Sequence, residues 1–196
     1  MKRIGLFGGS FDPVHLGHLL VAQAACEELE LERLFFILAA QSPFKPASQP
    51  APPEVRLRML RLALAGKSNC EIDEQEIRRG GISFTIDTAR SYKDRFPEAE
   101  LFYLIGADHV PTLPKWRESE ELARFVQFVV IPRPGETPTS LPPPFRIQIL
   151  VGWPLQVSSS QIRERAHSGL PIEHLLPPGV GEVIRETRSY QRKKSP

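Results

Sequence analysis

Two histidines near the amino terminus have the spacing expected at the start of a phosphate-binding helix. His15 and His18 are three residues apart, so they would lie on one face of a first helical turn. Gly8 and Gly9 precede them where an apolar run ends, and glycine lets backbone N–H groups approach a phosphate without a Cβ in the way. The positive end of the helix dipole also favours an anion there. The segment therefore predicts a site for a phosphorylated ligand.

The same segment also has a purely structural interpretation. Asp12 could cap the helix, the glycines could merely turn the chain, and each histidine could be a partly buried structural residue. The segment is neither a Walker loop, G-x-x-x-x-G-K-[ST], nor the dinucleotide fingerprint G-x-G-x-x-G. The combined spacing, directly after a first strand, favours the phosphate site.

Two other segments carry candidate ligand-binding groups. Residues 158–160 are three serines that precede Ile162 and Arg163, which predicts a helix N-cap with N–H donors for an anion. Arg163 could be a solvated helix charge or a phosphate ligand, since a guanidinium can contact two oxygens at once. Gly106 and Asp108 follow a buried strand, where a ligand could bind or where Asp108 could simply cap a turn.

The elements that would position these residues alternate between strands and helices. Apolar runs of strand length predict strands at 4–7, 34–38, 101–105 and 125–131, and apolar residues at helical spacing predict helices at 16–29, 54–64, 85–96 and 118–123. This alternation indicates a Rossmann-like open parallel α/β sheet with helices on both faces, which binds ligands beyond the carboxyl ends of its strands.

Arginines and prolines mark the surfaces of this predicted fold. In the helix at 54–64, Arg56, Arg58 and Arg61 are assigned to the polar side. Segments 42–53 and 132–144 are rich in proline and should be surface loops.

Composition and charge favour one soluble domain that spans residues 1–196. The chain is 41% apolar and 24% charged, far from the composition of disordered proteins. A net charge of +2 does not imply nucleic acid, and no apolar run approaches the roughly 20 residues of a membrane span. Cys26 and Cys70 lack metal-ligand spacing and suit a reducing cytoplasm. Residues 190–196 form a basic tail that we expect to be frayed.

The segment from Gly8 to His18 resembles the signature of the H-x-G-H nucleotidyltransferase superfamily, which includes phosphopantetheine and cytidylyl transferases. Further segments narrow the resemblance to the bacterial nicotinate-nucleotide adenylyltransferases: 83–88, 104–108 with Trp116 downstream, 131–135, 157–163 and 175–180. Members of that family join ATP and nicotinate mononucleotide to give deamido-NAD and pyrophosphate. One departure is that the family's Pro-Pro-His-Lys is Ser-Pro-Phe-Lys at 42–45, without the histidine.

The resemblance also implies residue roles. His15, His18, Lys45 and Arg163 would be the catalytic residues that hold the phosphates of ATP, which would carry a phosphate-bound Mg²⁺. The ATP molecule would contact further residues: Gly8, Gly9, Ser10, Phe11, Gly106, Asp108, Arg133, Ser158 and Ser159. For nicotinate mononucleotide, Trp116 would stack on the pyridine ring and Thr85 would form a hydrogen bond.

Two other functions stay open at this point. Another adenylyltransferase of the same fold, such as the phosphopantetheine enzyme, would be favoured if Trp116 and Thr85 are structural. A non-catalytic nucleotide-binding or RNA-binding module is supported only by the basic tail. The sequence also allows a homo-oligomer. No serine, cysteine or lysine is visibly paired with a base, so we expect direct attack without a covalent intermediate.

Overall fold

A parallel sheet of six strands forms the centre of the molecule. The computed structural model describes residues 1–43, 50–132, 141–153 and 155–191. The strands are β1 (Arg3–Gly9), β2 (Arg33–Leu38), β3 (Cys70–Asp73), β4 (Glu100–Gly106), β5 (Val126–Ile131) and β6 (Ile147–Ile149). Their spatial order is β3-β2-β1-β4-β5-β6, and each neighbouring pair is parallel. The predicted open α/β sheet is confirmed.

Helices cover both faces of this sheet. They are α1 (Leu16–Glu28), α2 (Pro53–Leu64), α3 (Gln75–Arg79), α4 (Thr85–Arg95), α5 (Ser119–Phe125), α6 (Ser159–His167) and α7 (Val180–Thr187). Because side chains alternate along a strand, Phe36 and Leu104 pack in one core with α1, α2, α6 and α7, while Phe35 and Tyr103 pack in a second core with α4 and α5. In the described part of the chain, no helix is long and apolar enough to cross a membrane.

The strand order reverses direction at the centre of the sheet. Strand β1 pairs with β2 on one side and with β4 on the other. From β1 the chain adds β2 and β3 towards one edge of the sheet, and it then adds β4, β5 and β6 towards the other edge. Gly9 and Gly106 are the last residues of β1 and β4. An open α/β sheet forms its ligand crevice at such a switch point, beyond the carboxyl ends of the strands.

Several short elements were not predicted from the sequence. Strand β3 has four residues and β6 has three, both at sheet edges, so neither gives a detectable apolar run. A 3₁₀ helix at Ala107–Lys115 contains Pro111 and Pro114, which prevent a regular α-helix there. Phe125 was predicted to begin a strand, but it ends α5 instead.

The assignment of Arg56 to the polar side of α2 is wrong. Its side chain is 1% exposed and is the largest fully buried side chain among the described residues. The guanidinium donates hydrogen bonds to three backbone carbonyls, those of Ser10 (2.9 Å), Ala39 (2.8 Å) and Ala51 (2.9 Å). Burial lowers the pKa of Arg56, and the nearby Asp12 carboxylate opposes this effect. One buried cation thus connects three loops at the carboxyl end of the sheet.

Asp12 is the second point at which distant segments meet. Its carboxylate accepts hydrogen bonds from the backbone N–H of Ala51 (3.1 Å) and from the hydroxyl of Tyr190. Tyr190 is half-buried against the first core, so the expected fraying does not begin at residue 190. Residues 192–196 lie outside the described part of the chain.

Arg56 gives a direct test of this loop network. Arg56→Met would remove the donor to three partly buried carbonyls, so we expect the free energy of unfolding to fall by about 3–5 kcal/mol. Arg58→Met is the matched control, because Arg58 is half-exposed in a surface ion pair with Glu186 and should cost below about 1 kcal/mol. Urea unfolding followed by circular dichroism measures both values. Equal losses in the two variants would contradict the role given to Arg56.

Candidate active site

A cavity of about 830 Å³ lies beyond the carboxyl ends of β1 and β4. Its size suits a small-molecule ligand. Every predicted site residue that the structure describes lines this cavity: Gly8, Gly9, Ser10, Phe11, His15, His18, Thr85, Gly106, Asp108, Trp116, Ser158, Ser159 and Arg163. Lys45 and Arg133 lie outside the described residues. Segments far apart in sequence are therefore brought together at the switch point of the sheet.

The two histidines stand together at the start of α1. His15 is the N-cap residue and His18 is in the first turn, with ring centroids 3.8 Å apart. The backbone N–H of His15 donates to Nδ1 of His18 at 3.1 Å, which places the proton of a neutral His18 on Nε2. Asp12 does not cap this helix, because its carboxylate bonds to Ala51 and Tyr190 instead.

Burial keeps both imidazoles uncharged. It lowers the pKa of His15 to about 4, and burial together with the neighbouring His15 holds the pKa of His18 well below its usual value. Among the described residues, Nδ1 of His15 is a buried nitrogen without a hydrogen-bond partner. This nitrogen faces not the cavity but the backbone at the start of α1, where the helix geometry brings the His15 side chain towards the backbone N–H of His18. The pair can donate hydrogen bonds to a phosphate but supplies no positive charge at neutral pH.

Glycines allow the backbone to form the floor of the cavity. A Cβ on Gly8 would lie 2.5 Å from the hydroxyl oxygen of Tyr103, and one on Gly17 would lie 3.0 Å from the ring of His15. Real Cβ atoms essentially never come as close as 2.5 Å to another atom, and few come as close as 3.0 Å. At these two positions a side chain would displace groups that line the cavity.

The start of α6 lies directly against the loop at 10–15, which precedes α1 and which we call the histidine loop. Ser158 is the N-cap residue, and its Oγ accepts the backbone N–H of Gln161 at 3.2 Å. The Ser159 hydroxyl donates to the carbonyl of Pro13 (2.9 Å), and the Arg163 guanidinium donates to the carbonyl of Asp12 (2.7 Å). The predicted N-cap is confirmed. These bonds also fix the amino terminus of α6 beside the histidines.

Arg163 supplies the positive charge of this region. It is the one lysine or arginine among the described residues that line the cavity. Its guanidinium lies 3.8 Å from a carboxylate oxygen of Asp12 and donates to Ser160 Oγ at 3.1 Å. Asp12 and Ser160 thus hold this cation at the edge of the cavity.

Thr85 and Trp116 line the part of the cavity that lies beside the second core, and we call this part the second arm. Thr85 is the first residue of α4, and its hydroxyl donates to the Tyr103 hydroxyl at 3.4 Å. The indole N–H of Trp116 donates to Thr112 at 3.2 Å, and its ring meets that of Phe128 edge to face. Trp116 is therefore fixed in orientation, with part of its surface in the cavity.

Sequence reasoning missed a buried carboxyl group beside this arm. Glu76 is 4% exposed, lines the cavity and accepts a hydrogen bond from Thr88 at 2.6 Å. Burial raises its pKa, while hydrogen bonds from Thr88 and Ser83 oppose the rise. The charged run 74–79 gave no signal for this, because it looks like a solvated helix. Ser83 in turn accepts the backbone N–H of Ala40 at 3.0 Å, which ties the end of β2 to α4.

The donor set of the site suits phosphate oxygens better than a bare metal ion. Imidazoles, backbone N–H groups and a guanidinium all offer hydrogen to an anion. Within residues 1–43, 50–132, 141–153 and 155–191, no cluster of three His, Cys, Asp or Glu residues is arranged to hold a metal.

Comparison with known proteins agrees with this geometry. The model of the cytidylyltransferase-like family matches residues 6–165. A "Probable nicotinate-nucleotide adenylyltransferase" of Opitutus terrae is 40% identical over 96% of this chain and 98% of its own length. A protein of the same name from Bacillus licheniformis is 38% identical over 97% of this chain and all of its own. The chain belongs to the nicotinate-nucleotide adenylyltransferase family.

A solved structure of a distant nicotinate-nucleotide adenylyltransferase shares the fold. The nicotinic acid mononucleotide adenylyltransferase of Plasmodium falciparum, in complex with NaAD, matches with a TM-score of 0.79 over 97% of this chain and 98% of that one. Its sequence identity is 18%, so the likeness concerns the fold alone. The prediction of a nucleotidyltransferase enzyme is confirmed by the family.

The buried histidines of this adenylyltransferase should make its stability depend on pH. The folded pKa of His15 is about 4 and its ordinary value is 6.5, so between these values the unfolded chain binds more protons. The neutral imidazole contributes stability that is fully present above pH 6.5. That stability is lost as the pH falls towards 4, by about 3 kcal/mol for His15.

Urea unfolding at several pH values between 4 and 7 measures this effect. His15→Asn should flatten the dependence, because asparagine does not titrate. His174→Asn, at an exposed histidine outside the cavity, should keep the slope of the unsubstituted protein. If both variants show the same slope, burial of His15 is not the cause.

Gly8 and Tyr103 give a second test of the adenylyltransferase site. Gly8→Ala forces the Tyr103 hydroxyl to move, and we expect a loss of about 1–3 kcal/mol in the free energy of unfolding. Adding Tyr103→Phe removes the oxygen that clashes and should restore most of the loss. Gly181→Ala is the control, since a Cβ there has its closest contact at 3.9 Å, to Leu176. A double variant as unstable as Gly8→Ala alone would contradict the proposed contact.

Proposed function

We propose that this chain transfers the adenylyl group of ATP to nicotinate mononucleotide, giving deamido-NAD and pyrophosphate. The observation that carries the proposal is the buried, neutral pair His15 and His18, which lines the cavity at the start of α1. The names of relatives at about 40% identity over nearly the whole chain support the choice of acceptor. ATP is the co-substrate expected of such an enzyme.

The chemical step needs no general base from the protein. An ionised oxygen of the acceptor's 5′-phosphate attacks the α-phosphorus of ATP. As that P–O bond forms, the bond from the α-phosphorus to the bridging oxygen breaks, and the electron pair leaves with pyrophosphate. The enzyme then contributes positioning and charge neutralisation, as in other phosphoryl transfers. This agrees with a cavity whose described residues supply hydrogen-bond donors and a cation.

Each side of the cavity has a separate task in this mechanism. His15 and His18 would donate to oxygens of the α-phosphate and stabilise the charge that develops there. Arg163 and the first N–H groups of α6 would hold the departing pyrophosphate. Lys45 and Arg133 keep their proposed contacts to the phosphates and to the nucleotide. Mg²⁺ would enter with the phosphates of ATP and neutralise part of their charge.

The second arm of the cavity would bind nicotinate mononucleotide. Trp116, fixed by Thr112 and Phe128, offers a rigid indole for the pyridine ring to stack on. The hydroxyl of Thr85, at the start of α4, would form a hydrogen bond with nicotinate mononucleotide, either as its donor or as its acceptor. Gly106, the last residue of β4, and Asp108, in the 3₁₀ helix that follows it, would contact the ribose and adenine side of ATP.

Two further properties belong to the same proposal. Cys26 and Cys70 are both free thiols, which supports a role in the reducing cytoplasm. The single domain and the homo-oligomer that the sequence allows stay predictions.

The test is release of pyrophosphate from purified protein with Mg²⁺, ATP and one acceptor at a time. We expect release with nicotinate mononucleotide, less with its amide, and none with phosphopantetheine. His18→Ala should lower kcat by about 10²–10³, because it removes a donor to the reacting phosphate. His174→Ala, at an exposed position outside the cavity, is the control and should retain full turnover.

The other outcomes separate the rival functions. Release with phosphopantetheine in place of nicotinate mononucleotide would assign the chain to another adenylyltransferase. No release with any acceptor, together with tight ATP binding, would favour a binding module. Unaltered turnover of a folded His18→Ala variant would remove His18 from the mechanism.

A further inference from the structure

A second tryptophan, which the sequence analysis did not single out, stands at the mouth of the same cavity. Trp153 is 50% exposed, and it lines the cavity between Val151 and Leu155. These two neighbours are also large apolar residues with high exposure, 81% and 46%. Three exposed apolar side chains at one edge of a cavity give that edge a surface suited to an apolar part of a ligand.

The backbone beside Trp153 is held in place by one carboxylate. Glu28, the last residue of α1, accepts the N–H of Val151 at 2.8 Å and the N–H of Gly152 at 2.7 Å. Gly152 has a φ of +47°, and a Cβ there would lie 3.3 Å from that of Ala24. The segment therefore packs closely on α1, in a conformation that favours glycine. Glu28 thus holds the backbone that directly precedes Trp153.

The wall of the cavity that α1 forms beside this segment is small and uncharged. Gly17, Val21 and Ala24 of α1 line the cavity, with Val157 close to Gly17. This wall runs along α1 from the histidines to the segment that Glu28 holds. A triphosphate would find no donor side chain on this wall, whereas a flat aromatic base would find apolar groups there and on Trp153. Stacking on aromatic side chains is a general way in which proteins bind bases.

We propose that Trp153 forms one face of the purine subsite and stacks on the adenine of ATP, and that Glu28 is the positioning residue that holds its segment against α1. The proposal rests on the proposed function for the identity of the nucleotide. It divides the two tryptophans of the chain between the two substrates, with Trp116 on the pyridine side and Trp153 on the purine side. Each tryptophan then reports on one substrate.

Fluorescence tests this division without turnover. In Trp116→Phe, Trp153 is the only tryptophan, and we expect α,β-methylene-ATP to quench its emission while inorganic tripolyphosphate leaves it unchanged. In Trp153→Phe, the emission of Trp116 should respond to nicotinate mononucleotide. Tripolyphosphate is the informative probe because it carries the charge of the nucleotide without the base. Quenching of Trp153 by tripolyphosphate as strongly as by the analogue would overturn the proposal.

Affinity and kinetics give the second test. Trp153→Ala should weaken binding of α,β-methylene-ATP and raise KM for ATP about tenfold, the effect of losing one stacked base. The KM for nicotinate mononucleotide, kcat and the affinity for tripolyphosphate should not change. Trp153→Phe, which keeps an aromatic face, should recover most of the affinity. Leu170→Ala is the control, because Leu170 is 49% exposed and does not line the cavity.

Glu28 is tested in the same assays. Glu28→Gln replaces an acceptor oxygen by an NH₂ group that faces a backbone N–H, so KM for ATP should rise while kcat stays constant. The emission of Trp153 in the Trp116→Phe background should shift to the red as its segment loosens. Glu27→Gln is the neighbouring control, since Glu27 bonds to Gln23 and does not line the cavity.

Three results would overturn the proposal. The first is an unchanged affinity for the ATP analogue in Trp153→Ala. The second is equal weakening of the analogue and of tripolyphosphate, which would mean a structural role for the indole. The third is a change of oligomeric state in Trp153→Ala with analogue binding intact, which would mean a subunit contact. Failure of adenylyl transfer would refute the proposed function and leave these binding experiments interpretable.

Discussion

The guanidinium of Arg56 is the interaction on which the carboxyl end of the sheet depends. Burying a cation is unfavourable unless its hydrogens find acceptors, and here the acceptors are carbonyls of Ser10, Ala39 and Ala51. These carbonyls belong to three connections that are also joined by the pairing of β1 with β2 and by the bond from Ala51 to Asp12, and among the described side chains Arg56 is the one that contacts all three. The charge is stable inside only when all three loops are in place, and the loop that carries the histidines is one of them. The site is thus ordered by a residue that does not line it.

The strands were largely predictable from the sequence, and the buried polar groups were not. Central strands are apolar on both faces, so a run such as 34–38 is recognisable by itself. Arg56 was assigned to the polar side because a pattern of residue types treats arginine as solvated. Its burial depends on carbonyls that come from 5 to 46 residues away. Glu76 is hidden in a charged run for the same reason.

The phosphate side of the site was predictable, and the segment at its mouth was not. His15 and His18 are neighbours in sequence, so spacing alone brings them together. The contact of Glu28 with Val151 and Gly152 joins residues 123 and 124 apart, and no local pattern records it. Trp153 follows the same rule, because nothing in the residues next to it in sequence shows that it lines the cavity. The prediction was strongest where function depends on local backbone geometry.

The contact of Tyr190 with Asp12 has a consequence for how the enzyme is made. These residues are 178 positions apart. The loop that contains Asp12 and leads to the histidines therefore makes one of its hydrogen bonds to a residue that is synthesised much later. At about 5–20 residues per second, a ribosome takes roughly 10–40 s to cover that distance. The strands can begin to pair during this time, but the bond from Tyr190 to Asp12 cannot form until the residues after α7 have been synthesised. A chain that is truncated before Tyr190 would keep the signature segment from Gly8 to His18 but would lack the hydrogen bond from Tyr190 that holds Asp12 within it.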